Sequence, residues 1–334
     1  MSATPVPRLA LTLGDPAGIG PELAVRLLAD PANRERAQVL VLAEPEEFAA
    51  HCAEAGVEVP LSDTPGPGLV TLVGAGAPVQ QVERRKVSTA AGERVMTDLT
   101  KALRLYEEGT VDAIMFTPLN KASLHLAGMH EEDELRWFAK QLGFDGVTSE
   151  LNFVPDLVTS RVTSHIPLSG VAQRINATSV LDAIRLLDDV LKGSGIEAPR
   201  LAVCALNPHA GENGQFGREE IEHISPGVKL AQVEGIDASG PFPCDTIFIS
   251  AKAGNYDGVV TMYHDQGQIA MKLMGFDRGV TVQGGLPVPI CTPAHGTAFE
   301  LVGTGKANLG PSQHAFDLAV ALGTRLRRDA APAA

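Results

Sequence analysis

Three short stretches hold the residues best suited to chemistry: Thr163-Ser-His-Ile-Pro167, Leu206-Asn-Pro-His-Ala-Gly-Glu212 and Met262-Tyr-His-Asp-Gln-Gly267. Each follows an apolar run and breaks into a turn with one histidine at its tip. The runs are Leu157-Val158 with Val162, Leu201 to Leu206, and Val259-Val260. In an open α/β sheet, ligands collect at the carboxyl ends of strands. His165, His209 and His264 are therefore candidate ligands for one divalent metal, bound as neutral imidazoles. The plainer alternative is three unrelated loop histidines. Around them stand Asp245 (in Pro243-Cys-Asp-Thr246), Asp265, and Lys272 about two helical turns past His264. A metal-bound hydroxyl is more acidic, a lysine or aspartate can relay its proton, and a nearby cation stabilises an enolate. Without the histidines, Asp245 and Lys272 would read as a loop acid and a solvated helix lysine.

A second stretch, His295-Gly-Thr-Ala-Phe-Glu-Leu-Val-Gly-Thr-Gly-Lys-Ala-Asn308, is a glycine-rich loop entering a helix. Such a loop can bring backbone N–H groups against a phosphate. Near the start, Leu9 to Leu13 runs into Gly14-Asp-Pro-Ala-Gly-Ile-Gly-Pro-Glu22 and then a helical pattern through Leu28. Its glycines fall at 14, 18 and 20, so it is not the dinucleotide fingerprint and reads as a tight strand-to-helix connection.

The elements that must position these groups alternate along the chain. Strands are predicted at Val39–Leu42, Ala113–Phe116, Ile247–Ile249, Val259–Val260 and Val280–Val282, and helices at Glu44–Ala55, Thr89–Glu108, Ser179–Leu191 and Leu318–Leu326. Alternation of this kind argues for an α/β protein. Ala113–Phe116 ends in Thr117-Pro-Leu-Asn-Lys121, which makes Lys121 a candidate anion contact. Glu131-Glu-Asp-Glu134 precedes the apolar Leu135, Trp137, Phe138 and Leu142, as acids at the positive end of a helix dipole would.

A chain of 334 residues points to two domains or one large one. Its net charge of −13 argues against nucleic acid or an anionic membrane as partner, so an anionic substrate needs a local basic site. Cys52, Cys204, Cys244 and Cys291 show no C-x-x-C spacing and read as reduced thiols of a cytoplasmic protein. No stretch approaches a membrane span and none near Met1 has a signal-like apolar core.

Taken together, the Gly14–Glu22 opening, Leu-Asn-Pro-His-Ala-Gly-Glu, Met-Tyr-His-Asp-Gln-Gly and His-Gly-Thr-Ala closely resemble the 4-hydroxythreonine-4-phosphate dehydrogenase (PdxA) family over nearly the whole chain. The resemblance implies a two-domain α/β fold like that of isopropylmalate and isocitrate dehydrogenases, with an interdomain active-site cleft. The expected division is residues 1–128 with 285–334, carrying an NAD-binding loop, and residues 129–284, carrying the metal, substrate and dimer contacts. It also implies a homodimer with shared active sites, a divalent metal (Zn, or Mg, Mn or Co) on His165, His209 and His264, and catalytic roles for Lys272, Asp245 and Asp265. His295, Gly296, Thr297, Ala298 and Asn308 fall where the family binds NAD.

The substrate end departs from the family. Where phosphate-using members carry Gly-His-Thr-Glu, this chain has Asp133-Glu-Leu-Arg136, so Glu134 and Leu135 replace the His and Thr. The family's phosphate-contacting Asn and Arg fall at Thr281 and Ile290. A carboxylate in place of a donor repels a dianion, and a lost Arg removes a bidentate contact. The terephthalate cis-dihydrodiol dehydrogenases are similar and also lack the phosphate histidine and arginine. The expected function is therefore NAD- and metal-dependent oxidation of a hydroxyl β to a carboxylate, with decarboxylation, on a small non-phosphorylated carboxylated substrate. Arg136 is a candidate partner for its remote carboxylate. The alternatives are the same chemistry on 4-phosphooxy-threonine or a phosphorylated sugar acid, with Lys121 and Arg278 rebuilding an anion site, and a silent metal-binding dimer.

Overall fold

The computed structural model describes residues 6–74, 82–155, 157–275 and 278–330. In chain order its strands are β1 (Arg8–Thr12), β2 (Gln38–Leu42), β3 (Val70–Leu72), β4 (Ala113–Phe116), β5 (Ser149–Val154), β6 (Leu157–Arg161), β7 (Leu201–Cys204), β8 (Ala238–Phe242), β9 (Gly258–Thr261), β10 (Val280–Gly284) and β11 (Ile290–Pro293). Helices separate most of them, and the chain is α/β as its alternation predicts. It divides into two compact units, Met1–Phe144 with Leu286–Ala334, and Asp145–Gly285.

In the first unit the strands lie parallel in the order β3-β2-β1-β4-β11. β1, β2 and β4 are near-continuous apolar runs because helices cover both faces of such a sheet. Helix Thr89–Glu107 presents Leu99 and, three or four residues from it, Val95, Ala102 and Leu103 to Ile114 and Phe116. Full burial of a side chain such as Leu99 contributes roughly 1.5–3 kcal/mol. Ser88 accepts from Ala91 N–H at 3.2 Å and starts that helix. Met129, Trp137 and Phe138 lie in the same core. The division therefore falls after Phe144, not after residue 128, because helix Glu134–Gln141 buries its aromatic face in the first unit.

The second unit orders its strands β10-β5-β6-β9-β7-β8. The β10–β5 and β5–β6 pairs are antiparallel, while β6–β9, β9–β7 and β7–β8 are parallel. Ile247-Phe-Ile249 is not a strand but the middle of helix Cys244–Lys252. Three apolar residues do not determine a period. Ile247 and Ala251, one turn apart, are buried, and Ile249 is 72% exposed. Among the described residues no helix is long and apolar enough to cross a membrane.

Candidate active site

β6, β9 and β7 are adjacent and parallel, so their carboxyl ends share one edge. His165 lies four residues past β6, His264 opens helix His264–Gly275 just past β9, and His209 lies in the turn after β7. Neighbouring strands are about 4.8 Å apart, so the three loops emerge within roughly 10 Å. Two of them are stitched together: Thr163 donates from its N–H and its hydroxyl to Met262 O, at 3.1 and 2.7 Å. Gln266 joins the others, its Oε1 accepting from Met262 N–H at 2.8 Å and its Nε2 donating to Ala205 O at 2.9 Å. Buried Arg161 donates to Ser164 Oγ at 3.0 Å and pairs with Glu150, which holds the turn before His165.

Of the three histidines, the structure brings His165 and His264 within the reach of one divalent ion, and among the described residues His209 does not complete a close three-ligand cluster with them. The His165 and His264 rings are 5.6 Å apart between centroids. Two imidazoles sharing a tetrahedral ion at about 2.0–2.1 Å per Zn–N bond would place their centroids about 5–6 Å apart. His264 Nδ1 lies 2.7 Å from Asp265 Oδ1. With the carboxylate ionised, Nδ1 carries the proton and Nε2 keeps its lone pair for a metal. His209 heads a run of left-handed residues, His209, Ala210, Gly211, Glu212 and Asn213, with φ of 51, 53, 76, 42 and 56°. Each non-glycine residue there costs on the order of 1 kcal/mol, a strain that the surrounding contacts must hold.

Beside these loops is an open cavity of about 810 Å³. His209, Asp245 and Asp265 line it together with Tyr263, Gln266 and an apolar wall of Phe248, Ile249, Ile269 and Leu273. His165, His264 and Lys272 are not among its lining residues. Asp245 lies in the first turn of helix Cys244–Lys252, and Lys272 is exposed on the last turn of helix His264–Gly275.

In the first unit the glycine-rich loop follows β11. His295 Nδ1 donates to Gly296 O at 3.1 Å, which leaves Nε2 an acceptor, and that atom is buried with no protein partner. Gly296 has no atom within 4 Å of where a Cβ would stand, so its backbone is open to a ligand. A buried acceptor beside open backbone suits the amino group and ring of an adenine. The Gly14–Glu22 turn supports this loop, a role its glycine spacing did not reveal. Thr297 O accepts from Ile19 N–H at 3.1 Å, and a Cβ on Gly18 would come within 2.7 Å of Thr297 Cβ. Arg26 and Arg85 donate to Ala307 O and Val302 O at 2.8 and 2.5 Å. Asn308 Oδ1 accepts from Gly310 N–H at 3.0 Å just ahead of helix Gly310–Asp329, while Ala298 holds a left-handed φ of 40°.

The family model for the pyridoxal phosphate biosynthetic protein PdxA matches residues 35–319. The chain belongs to the PdxA family. It is 50% identical over 335 residues to the "Putative 4-hydroxythreonine-4-phosphate dehydrogenase 2" of Pseudomonas aeruginosa, covering 97% of this chain and 99% of that protein. To the D-threonate 4-phosphate dehydrogenase of Pectobacterium atrosepticum it is 36% identical, covering 94% and 98%. The crystal structure of 4-hydroxythreonine-4-phosphate dehydrogenase from Klebsiella pneumoniae matches with a TM-score of 0.81 at 33% identity, over 97% and 100% of the two chains. A terephthalate 1,2-cis-dihydrodiol dehydrogenase from Burkholderia xenovorans matches at 0.70 and 26%, over 95% and 98%. Isocitrate dehydrogenase from Methylococcus capsulatus, at 0.51 and 15% over 96% and 88%, shares the fold. PdxA enzymes are NAD-dependent dehydrogenases acting on CH–OH and use a divalent metal.

The positions expected to form the substrate pocket of this PdxA chain are not all exposed. Ile290 is fully buried in β11, paired with Ile114 and packed in the first unit's core, so it is a core residue and not a pocket contact. Leu135 is likewise buried, on helix Glu134–Gln141. Glu134 opens that helix after the Asp133 cap, which accepts from Arg136 N–H at 2.8 Å. Its carboxylate lies 4.0 Å from Lys121 Nζ, so the negative charge has a cation beside it. Arg136 and Arg278 are exposed, and Thr281 is half-buried in β10 opposite Asn152.

Proposed function

We propose that this protein oxidises the hydroxyl β to the carboxylate of a four-carbon hydroxy acid bearing a terminal phosphate, of the 4-hydroxythreonine-4-phosphate or D-threonate 4-phosphate kind. The 50% identity across 97% of the chain to the P. aeruginosa protein carries this reading. It replaces the dihydrodiol reading expected from Glu134, Leu135, Thr281 and Ile290. Two of those positions are core, and Glu134 is paired with Lys121. The terephthalate enzyme is the more distant relative, at 26% identity.

In this reading His165, His209 and His264 hold a divalent ion, which when bound polarises the reacting hydroxyl and the carbonyl it becomes. Gly296 to Asn308 would hold NAD, with His295 beside its adenine, and the cofactor would supply the acceptor for the hydride on the carbon bearing that hydroxyl. Asp265 orients His264, while Asp245 and Lys272 accept and return the hydroxyl and enol protons. Oxidation gives a β-keto acid, whose carbon–carboxylate bond breaks to release CO2. A second copy of the chain covers the apolar wall of Ile249, Ile269 and Leu273, which are 72, 61 and 84% exposed beside Asp245. That copy makes the enzyme a homodimer with shared sites.

The reaction is tested by incubating metal-loaded enzyme with NAD and D-threonate 4-phosphate or 4-phosphooxy-threonine. Equal yields of NADH and CO2 are expected with at least one. NADH without CO2 would remove the decarboxylation, and turnover of neither would remove the substrate class.

A further inference from the structure

We infer that Glu220 is a positioning residue for His209, and that it sets the metal affinity of the histidine site without touching the metal. The inference rests on the metal reading proposed above. Glu220 lies eleven residues beyond His209 in a π-helical turn, Glu220–Ile224, a distortion that recurs at functional sites. Its side chain is buried, at 3% exposure. Oε1 accepts from Leu206 N–H at 2.9 Å and Asn207 N–H at 2.7 Å. Oε2 accepts from Asn207 Nδ2 at 3.0 Å. The backbone between β7 and His209 is thus wrapped around one carboxylate.

The packing on the other side is equally tight. A Cβ on Gly211, in the middle of the left-handed run, would come within 2.6 Å of Glu220 Oε2, and one on Gly217 within 2.3 Å of Asn207 Nδ2. Glu219 takes part as well, its Oε2 accepting from Asn207 Nδ2 at 2.7 Å. The Asn207 amide therefore donates to two carboxylates, and its orientation is fixed by them. The run that follows, from His209 to Asn213, has an unfavourable left-handed backbone and needs an external template. Glu220 supplies it at the point where the loop leaves the strand.

Glu220→Gln tests this with a one-atom change. The amide oxygen can still receive the two backbone N–H groups, but the new NH2 meets the Asn207 NH2, donor against donor. Asn207 cannot turn over to relieve this, because its oxygen would then face Glu219. The double variant E219Q/E220Q removes that conflict: Asn207 turns and accepts from both glutamines. The measurement is calorimetric titration of the metal-free protein with Co2+, alongside its melting temperature. For E220Q, Co2+ affinity is expected to fall about 10-fold or more with the metal-free melting temperature little changed. E219Q/E220Q is expected to recover most of the affinity. His209-dependent binding that E220Q leaves at the wild-type level would overturn the inference alone, as would a folded double variant that stays as weak as the single one. If His209→Ala leaves Co2+ affinity unchanged, the metal reading and the inference fall together. Should E220Q not fold, the double variant decides by the same affinity comparison with wild type.

Discussion

At the scale of single residues, the placement of the three histidines past strand ends was legible because each follows an apolar run, a pattern that strand geometry turns into a shared edge. Glu220 was not legible. It is one of two adjacent acids well downstream of its target, and only the folded loop shows what it holds. Asp15 was similarly hidden in a glycine turn. It is fully buried, with Oδ1 accepting from Ala17 N–H at 2.8 Å and Oδ2 without a protein partner. Burial pushes its pKa above the ordinary 3.8, against the opposing effects of the Ala17 N–H and the Ser123 hydroxyl. A carboxyl whose folded pKa is raised contributes stability below its unfolded value and loses it as pH rises through the folded value. At neutral pH Asp15 is therefore a cost. Asp15→Asn is expected to melt above wild type at pH 7–8, by roughly 2–4 °C per kcal/mol relieved, with the gain shrinking as pH falls toward 3.8. A melting difference that does not change between pH 8 and pH 4.5 would show that the charge is not the cause.

At the scale of elements, long periodic helices and buried strands were readable, as Val95, Leu99 and Leu103 on helix Thr89–Glu107 show. Two kinds of feature were not. The three-residue apolar run at Ile247 is too short to distinguish strand from helix, and the unit boundary depends on where Trp137 and Phe138 bury their rings. The loop from His295 to Asn308 was found from its glycines, but its support by the Gly14–Glu22 turn is a tertiary fact. That support makes the loop a rigid element with an unpartnered His295 Nε2. Asn308→Ala should raise the KM for NAD several-fold while the substrate KM moves little. An unchanged cofactor KM in a normally folded variant would take NAD away from this loop.

At the scale of the whole molecule, the resemblance read from four motifs is matched by the PdxA family model, and the chain shares nearly its full length with its relatives. Substrate choice was the weak point. Of the four positions whose residue types suggest a pocket without a phosphate site, Ile290 and Leu135 are buried. The apolar wall beside Asp245 carries the assembly proposal. Leu273→Glu puts a charge on a side chain that is 84% exposed and is expected to convert a sedimenting dimer to monomer and to abolish turnover. A monomeric wild type would contradict the shared site. The phosphate itself is the most direct test of the central claim. A hydrogen bond to a charged group is worth about 1.5–3 kcal/mol, so a site built for a phosphate should lose orders of magnitude with a substrate lacking it. The measurement is kcat/KM on one metal-loaded preparation for D-threonate 4-phosphate, 4-phosphooxy-threonine, D-threonate and a terephthalate-type cis-dihydrodiol. One of the two phosphorylated acids is expected to exceed both non-phosphorylated compounds by at least about 100-fold. A dihydrodiol or D-threonate turned over more efficiently than both phosphorylated acids would contradict the account.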